Sequence, residues 1–87
     1  MEEADIIERV KRLYPDAVID LNGADCSFEM FVISTSFEGM NTLQRQQPIL
    51  ALFRDELATG RLHALSIRTK TPKEQAGSAG LVQIQGL

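Results

Sequence analysis

Residues 62–72 read Leu62-His63-Ala64-Leu65-Ser66-Ile67-Arg68-Thr69-Lys70-Thr71-Pro72. Leu65 and Ile67 alternate with Ala64, Ser66 and Arg68, the period of a strand with one covered face and one open face. Thr71-Pro72 ends it. How this strand is reached decides the fold. Upstream, residues 41–58 have helical spacing, with Ile49, Leu52, Phe53 and Leu57 on the buried stripe and Gly60 as the stop. Pro48 interrupts that stretch, because proline lacks a backbone donor and its ring crowds the preceding turn. The spacing therefore predicts a short helix over 41–46 and a second one starting at Pro48, where proline suits the first helical position.

Further upstream, residues 26–34 are rich in β-formers: Phe28, Phe31, Val32 and Ile33. Residues 17–21 form a shorter candidate strand. Between them, Asn22-Gly23-Ala24-Asp25 has turn chemistry, so the pair is predicted to be an antiparallel hairpin. Phe28, Met30 and Val32 fall on one face of the second strand and Phe31 and Ile33 on the other, so alternation leaves the core face open. The first helix is predicted over about 2–14, with Ile6, Val10 and Leu13 in register, Ile7 and Tyr14 widening the stripe, and Pro15 as the stop. Asp5 and Glu8 have capping-box spacing.

The order is α-β-β-α-α-β. It predicts a small α/β (α+β) domain over residues 1–75, with a three-stranded mixed sheet, helices on one face and a flexible C-terminal tail over 76–87. The tail opens Ala-Gly-Ser-Ala-Gly, a linker-like composition. If strands two and three are neighbours, the helical crossover makes them parallel. Their starts then share one end of the sheet, which places Cys26 and His63 at the same edge.

Composition narrows the chemistry. The chain has 87 residues, one cysteine, one histidine and a net charge of −3. One cysteine excludes an internal disulfide, and one thiol with one imidazole excludes a self-sufficient Cys₄ or Cys₂His₂ zinc site. Residues 1–40 carry 3 basic and 9 acidic side chains, whereas residues 41–73 carry 6 basic and 2 acidic ones. The second half could therefore face an anionic partner. Residues 1–10 are acidic and broken by charges, unlike a secretory signal, and no apolar run approaches the roughly 20 residues of a membrane span. A cytoplasmic location and no membrane association are expected.

Three readings of the Cys26–His63 pair stand side by side. It can be a nucleophile and its base, which would also need an orienting group and an oxyanion site. It can be half of a metal or cluster site completed by another molecule, since a 2Fe–2S cluster needs four ligands. Or both residues can be structural, the thiol as a small buried hydrophobe and the imidazole as a hydrogen-bonded strand-start residue.

Phe37-Glu38-Gly39 followed by Arg45, together with Leu62-His63-Ala64 and the later Arg68, Thr71 and Pro72, resembles the BolA family, whose pattern pairs Phe-x-Gly-x₅-Arg with a downstream His-Ala and Thr-Pro. The resemblance spans roughly residues 4–74. It implies a fold similar to class II KH domains and a non-enzymatic role. It also implies partnership with a monothiol glutaredoxin, the two proteins and glutathione bridging a 2Fe–2S cluster. His63 matches the family's histidine ligand. Cys26 matches the second ligand from the loop between the first two strands. The apo form is expected to be stable alone, as a monomer or weak homodimer.

Arg45-Gln46-Gln47 replaces the family's Arg-His-Arg and is closer to the bacterial subgroup related to IbaG. The family's Thr-Pro-x-Glu-Trp ends here in Gln75, which predicts a short or missing C-terminal helix without its aromatic anchor. The alternative function is a KH-like nucleic-acid-binding transcriptional regulator. Against it, Gly39-Met40-Asn41-Thr42 lacks the second glycine of a phosphate-gripping GxxG loop. Arg45, Arg61, Arg68 and Lys70 are the candidate nucleic-acid or partner contacts.

Overall fold

The computed structural model describes residues 1–77. Helix α1 (Glu3–Leu13) is followed by strands β1 (Val18–Ala24) and β2 (Ser27–Ile33), a 3₁₀ turn over Thr35–Phe37, helices α2 (Thr42–Leu52) and α3 (Arg54–Thr59), and strand β3 (Ala64–Lys70). A further helix, α4, begins at residue 72 and is helical through 77. The sheet order is β1-β2-β3. The β1–β2 pair is antiparallel from Val18↔Ile33 to Ala24↔Ser27. The β2–β3 pair is parallel from Ser27↔Ala64 to Ile33↔Lys70. The predicted mixed sheet is thus the observed one. The tail expected over 76–87 lies, from residue 78 onward, outside the described residues.

The hairpin differs from the sequence pattern in one respect that matters for the site. β1 runs on to Ala24, and the turn is only Asp25-Cys26, both at positive φ (54° and 67°). Two left-handed residues in a two-residue loop make a type I′ turn, whose twist matches that of the flanking strands. Gly23, expected in the turn, is a strand residue: it pairs with Phe28, and a Cβ there would collide with the Ser27 carbonyl. Its role is close strand approach, which moves the turn two residues on and takes Cys26 out of the strand.

Pro48 does not divide the helices. α2 opens on a capping box, in which Asn41 accepts from the Gln44 N–H while the Gln44 side chain accepts from the Asn41 N–H. It then continues through Pro48 and breaks at Phe53 (φ −117°, ψ 17°). A proline inside a helix costs about 3 kcal/mol. Here Arg45, Ile49 and Phe53 are buried at four-residue intervals across it, and fully burying an Ile or Phe side chain returns roughly 1.5–3 kcal/mol each. Gln46 also donates to the Ile67 carbonyl at 2.7 Å, tying α2 to β3. Tertiary packing outweighs the local defect. Gly60, at φ 80°, ends α3 in the left-handed conformation.

Phe28, Met30 and Val32 are the buried face of β2, packed with Ile67 and with Ile6, Val10, Phe37, Ile49, Phe53 and Leu62 from the helices and loops. That settles the face which alternation left open. The opposite face carries Val18, Asp20, Phe31, Ile33 and Arg68 and is not covered by α1, α2 or α3. Among the described residues no helix is long and apolar enough to cross a membrane.

Candidate functional site

At the end of the sheet where β2 and β3 begin, the backbone of His63 is bonded to that of Cys26. The His63 N–H donates to the Cys26 carbonyl at 2.7 Å, and the Ala64 N–H reaches the same oxygen at 3.3 Å. The parallel register causes this, because Ser27 and Ala64 are the first paired residues and Cys26 and His63 immediately precede them.

The backbone around His63 is held from both sides. Leu62 is fully buried, and its N–H donates to the Glu56 carbonyl at 3.0 Å. Arg9 in turn donates to the Glu56 carboxylate (2.8 Å) and to the Leu52 carbonyl (2.9 Å). That guanidinium holds the Glu56 carboxyl down to about 2 from an ordinary 4.5. The chain entering the site is therefore clamped to α1 and to the end of α3.

The side chains are the reverse. Cys26 is a free, half-buried cysteine, and His63 is exposed. Neither makes a side-chain hydrogen bond or ion pair among the described residues. The thiol and imidazole are not hydrogen-bonded to each other, so a nucleophile–base couple is not assembled. Among the described residues no group of three or more His, Cys, Asp or Glu side chains gathers to hold a metal. Two donors suited to zinc or an iron–sulfur unit thus stand on a fixed backbone with their coordinating atoms free.

The four basic residues expected as contacts do not form one surface. Arg45 is buried, and each of its three nitrogens donates a hydrogen bond within the fold. Its Nε donates to the Met40 carbonyl at 2.9 Å, and Nη1 and Nη2 donate to the two Glu74 carboxylate oxygens at 2.7 and 2.9 Å. The guanidinium also lies 5.8 Å from the Phe37 ring centroid. Glu74 in turn caps α4: its carboxylate accepts from the Thr71 N–H, and its own N–H donates to the Thr71 hydroxyl, both at 3.0 Å. The Arg45 guanidinium first, and then the Thr71 N–H, pull the Glu74 carboxyl down to about 2 from 4.5. The Thr-Pro-x-Glu spacing is a capping-box signal with proline at the first helical position. Read that way, it would have shown that a C-terminal helix begins despite Gln75. Arg61 is exposed two residues before His63, whereas Arg68 lies on the open sheet face and Lys70 at the far end of β3.

A profile of the family described as BolA-like protein matches residues 8–74. The chain belongs to the BolA-like family. It is 31% identical over 74 residues to an uncharacterized protein in the rpoN-murA intergenic region of Acinetobacter guillouiae, covering 85% of this chain and 89% of that protein. It is 29% identical over 58 residues to the acid stress protein IbaG of Escherichia coli K12, covering 67% of this chain and 69% of that one. These bacterial relatives agree with the subgroup expected from Gln46 and Gln47. Among solved structures, BolA1 from Arabidopsis thaliana superimposes with a TM-score of 0.72 at 34% identity, covering 85% of this chain and 98% of that one. Several plant and mammalian BolA-like relatives are longer, the match spanning 29–38% of their length. Phe37, Arg45, Thr71 and Glu74 are thus one connected lock, and His63 is separate from it.

Proposed function

We propose that this chain is an accessory, non-catalytic protein that co-ligates a 2Fe–2S cluster through His63 and Cys26, the remaining ligands coming from a monothiol glutaredoxin and its bound glutathione. The observation that carries this reading is the hydrogen bond between the backbones of Cys26 and His63, which supports a fixed pair of donors whose side chains are free. Thiolate and neutral imidazole are accepted ligands of such clusters. Two of them are half the set, which favours a shared site over a self-contained one.

Within that reading each residue has a task. His63 presents one neutral ring nitrogen while the clamp at Leu62 and Glu56 keeps its backbone in place. Cys26 presents its sulfur from the turn, as thiolate once bound. Arg61, exposed beside the site, faces the carboxylates of glutathione or an acidic partner surface. When bound, the cluster is cargo to be passed on or sensed, and proton competition for an imidazole lone pair makes such a ligand exchange sooner than a thiolate. The nucleic-acid reading is weaker, because Arg45 is consumed inside the fold.

The test mixes this protein with a monothiol glutaredoxin, glutathione, ferric iron and sulfide, and follows visible absorption and circular dichroism. The wild type should give a heterocomplex spectrum distinct from glutaredoxin alone. His63→Ala should lose that distinct spectrum, and Cys26→Ala should shorten cluster lifetime. An unchanged spectrum and lifetime in His63→Ala would remove the ligand assignment. Salt-dependent, sequence-selective binding of duplex DNA by the apo-protein would favour the alternative.

A further inference from the structure

The open face of the sheet holds a second arrangement, away from the Cys26–His63 end. Register places Asp20, Phe31 and Arg68 side by side on β1, β2 and β3, and Val18, Ile33 and Lys70 in the next row. Directly paired residues project to the same face. One row is therefore acid, aromatic, base, and the row beside it begins with two aliphatic side chains. Gln75 of α4 closes one side, leaving a half-enclosed hollow of about 200 Å³ lined by Asp20, Phe31, Ile33, Arg68, Lys70 and Gln75. That is below the roughly 300–1,000 Å³ of pockets that bury drug-sized ligands, so an occupant must be small.

The walls define its charge. The Arg68 guanidinium lies 5.7 Å from the Phe31 ring centroid. Its contact with Glu29 is 3.6 Å between two largely exposed groups, a weak pair that can yield to a ligand. Asp20, two strand spacings away (about 10 Å between backbones), is exposed and makes no hydrogen bond or ion pair among the described residues. Lys70 adds a second cationic residue to the lining. A simple anion would suit Arg68 and Lys70 but leave Asp20 facing it unpaired, a simple cation would suit Asp20 alone, and an uncharged apolar molecule would use none of them. A molecule with an ammonium, an apolar body and a carboxylate uses both walls and the floor.

We propose that this hollow binds a small zwitterion with an apolar body, of the class of apolar α-amino acids and dipeptides: carboxylate at Arg68, ammonium at Asp20, side chain over Phe31 and Ile33. The site is independent of the cluster ligands and stands or falls without them.

The probe is L-phenylalanine, titrated into the full chain while the amide and methyl resonances of residues 31–33 and 68–70 are followed by NMR. Saturable shifts confined to this face in the millimolar range are expected. Two analogues separate the charges. Phenylalaninamide lacks the carboxylate and 3-phenylpropanoate lacks the ammonium, and each should bind several-fold more weakly. Asp20→Asn should bring L-phenylalanine to the level of 3-phenylpropanoate. Gln75→Trp, at an exposed helical position, should fill the hollow and abolish the shifts without unfolding the domain. Equal binding of all three probes would overturn the zwitterion assignment, and no saturable shift with L-phenylalanine would overturn the site.

Discussion

The two ends of the β2–β3 pair treat their polar residues in opposite ways. Where the strands begin, the backbones of Cys26 and His63 are bonded and their side chains left free. Where the strands finish, the Ser34 N–H donates to the Lys70 carbonyl. Just beyond, the side chains of Arg45, Thr71 and Glu74 are consumed by one another and by the backbone. Both ends contain residues of the family pattern, and sequence pattern alone gives them equal standing. Structure separates them: one end is a lock that closes α4 onto the domain, and the other leaves two side chains without a bonding partner among the described residues.

The comparison is tested most sharply by paired truncations. Arg45→Ala strands a carboxylate and a carbonyl and removes three hydrogen bonds, so it should cost about 2–3 kcal/mol. At this chain length that lowers Tm by ~10 °C or more. His63→Ala removes an exposed side chain and should stay within about 0.5 kcal/mol. Urea or thermal unfolding followed by far-UV circular dichroism reads both. If the two variants lose similar stability, the lock-and-donor division is wrong.

Acid should act on the locked end. The Glu74 carboxyl is held at about 2 in the folded chain against 4.5 ordinarily, and Glu56 is held likewise. A depressed folded pKa contributes stability that is present above the unfolded value and lost as pH falls through the folded one. Stability should therefore decline from about pH 4.5 towards about pH 2. In Glu74→Gln the neutral-pH stability should drop and the acid-dependent decline should become shallower. An unchanged slope in that variant would show that the Arg45–Glu74 pair carries none of it.

How much of this was legible beforehand follows the physics. Strand order, parallel pairing and the meeting of Cys26 with His63 were readable, because alternation and crossover length constrain topology. The continuity of α2 through Pro48 was not. Local propensity argues for a break, and only the burial of Arg45 before the proline and of Ile49 and Phe53 after it overrides that. The fate of Arg45 was hidden for a related reason: a basic residue in a sequence looks like surface charge until its carboxylate partner, 29 residues away, is seen beside it. The turn position was missed because Gly23 looked like a turn glycine, whereas the register needs it for strand contact.

The Asp25-Cys26 turn gives the smallest expected effect. Among the described residues, the only non-glycine residues at positive φ are Asp25 and Cys26. A side chain in the left-handed region costs on the order of 1 kcal/mol, and the second position of a type I′ turn favours glycine. Cys26→Gly creates Asp-Gly, a preferred pair for this turn. After subtracting the extra unfolded-state freedom of glycine, roughly 0.4–1 kcal/mol, and the lost contact of a half-buried thiol, a net gain of up to about 0.5 kcal/mol is expected. Cys26→Ala keeps the strain and should gain nothing. If Cys26 co-ligates a cluster as proposed, both variants should also shorten that cluster's lifetime in the mixture with glutaredoxin. A stability gain in the glycine variant alone, with lifetime lost in both, would mean that the thiol sits in the turn at the expense of the fold. If instead Cys26→Gly destabilises as much as Cys26→Ala, the sulfur is there for packing, and His63 alone remains as the donor this end of the sheet offers.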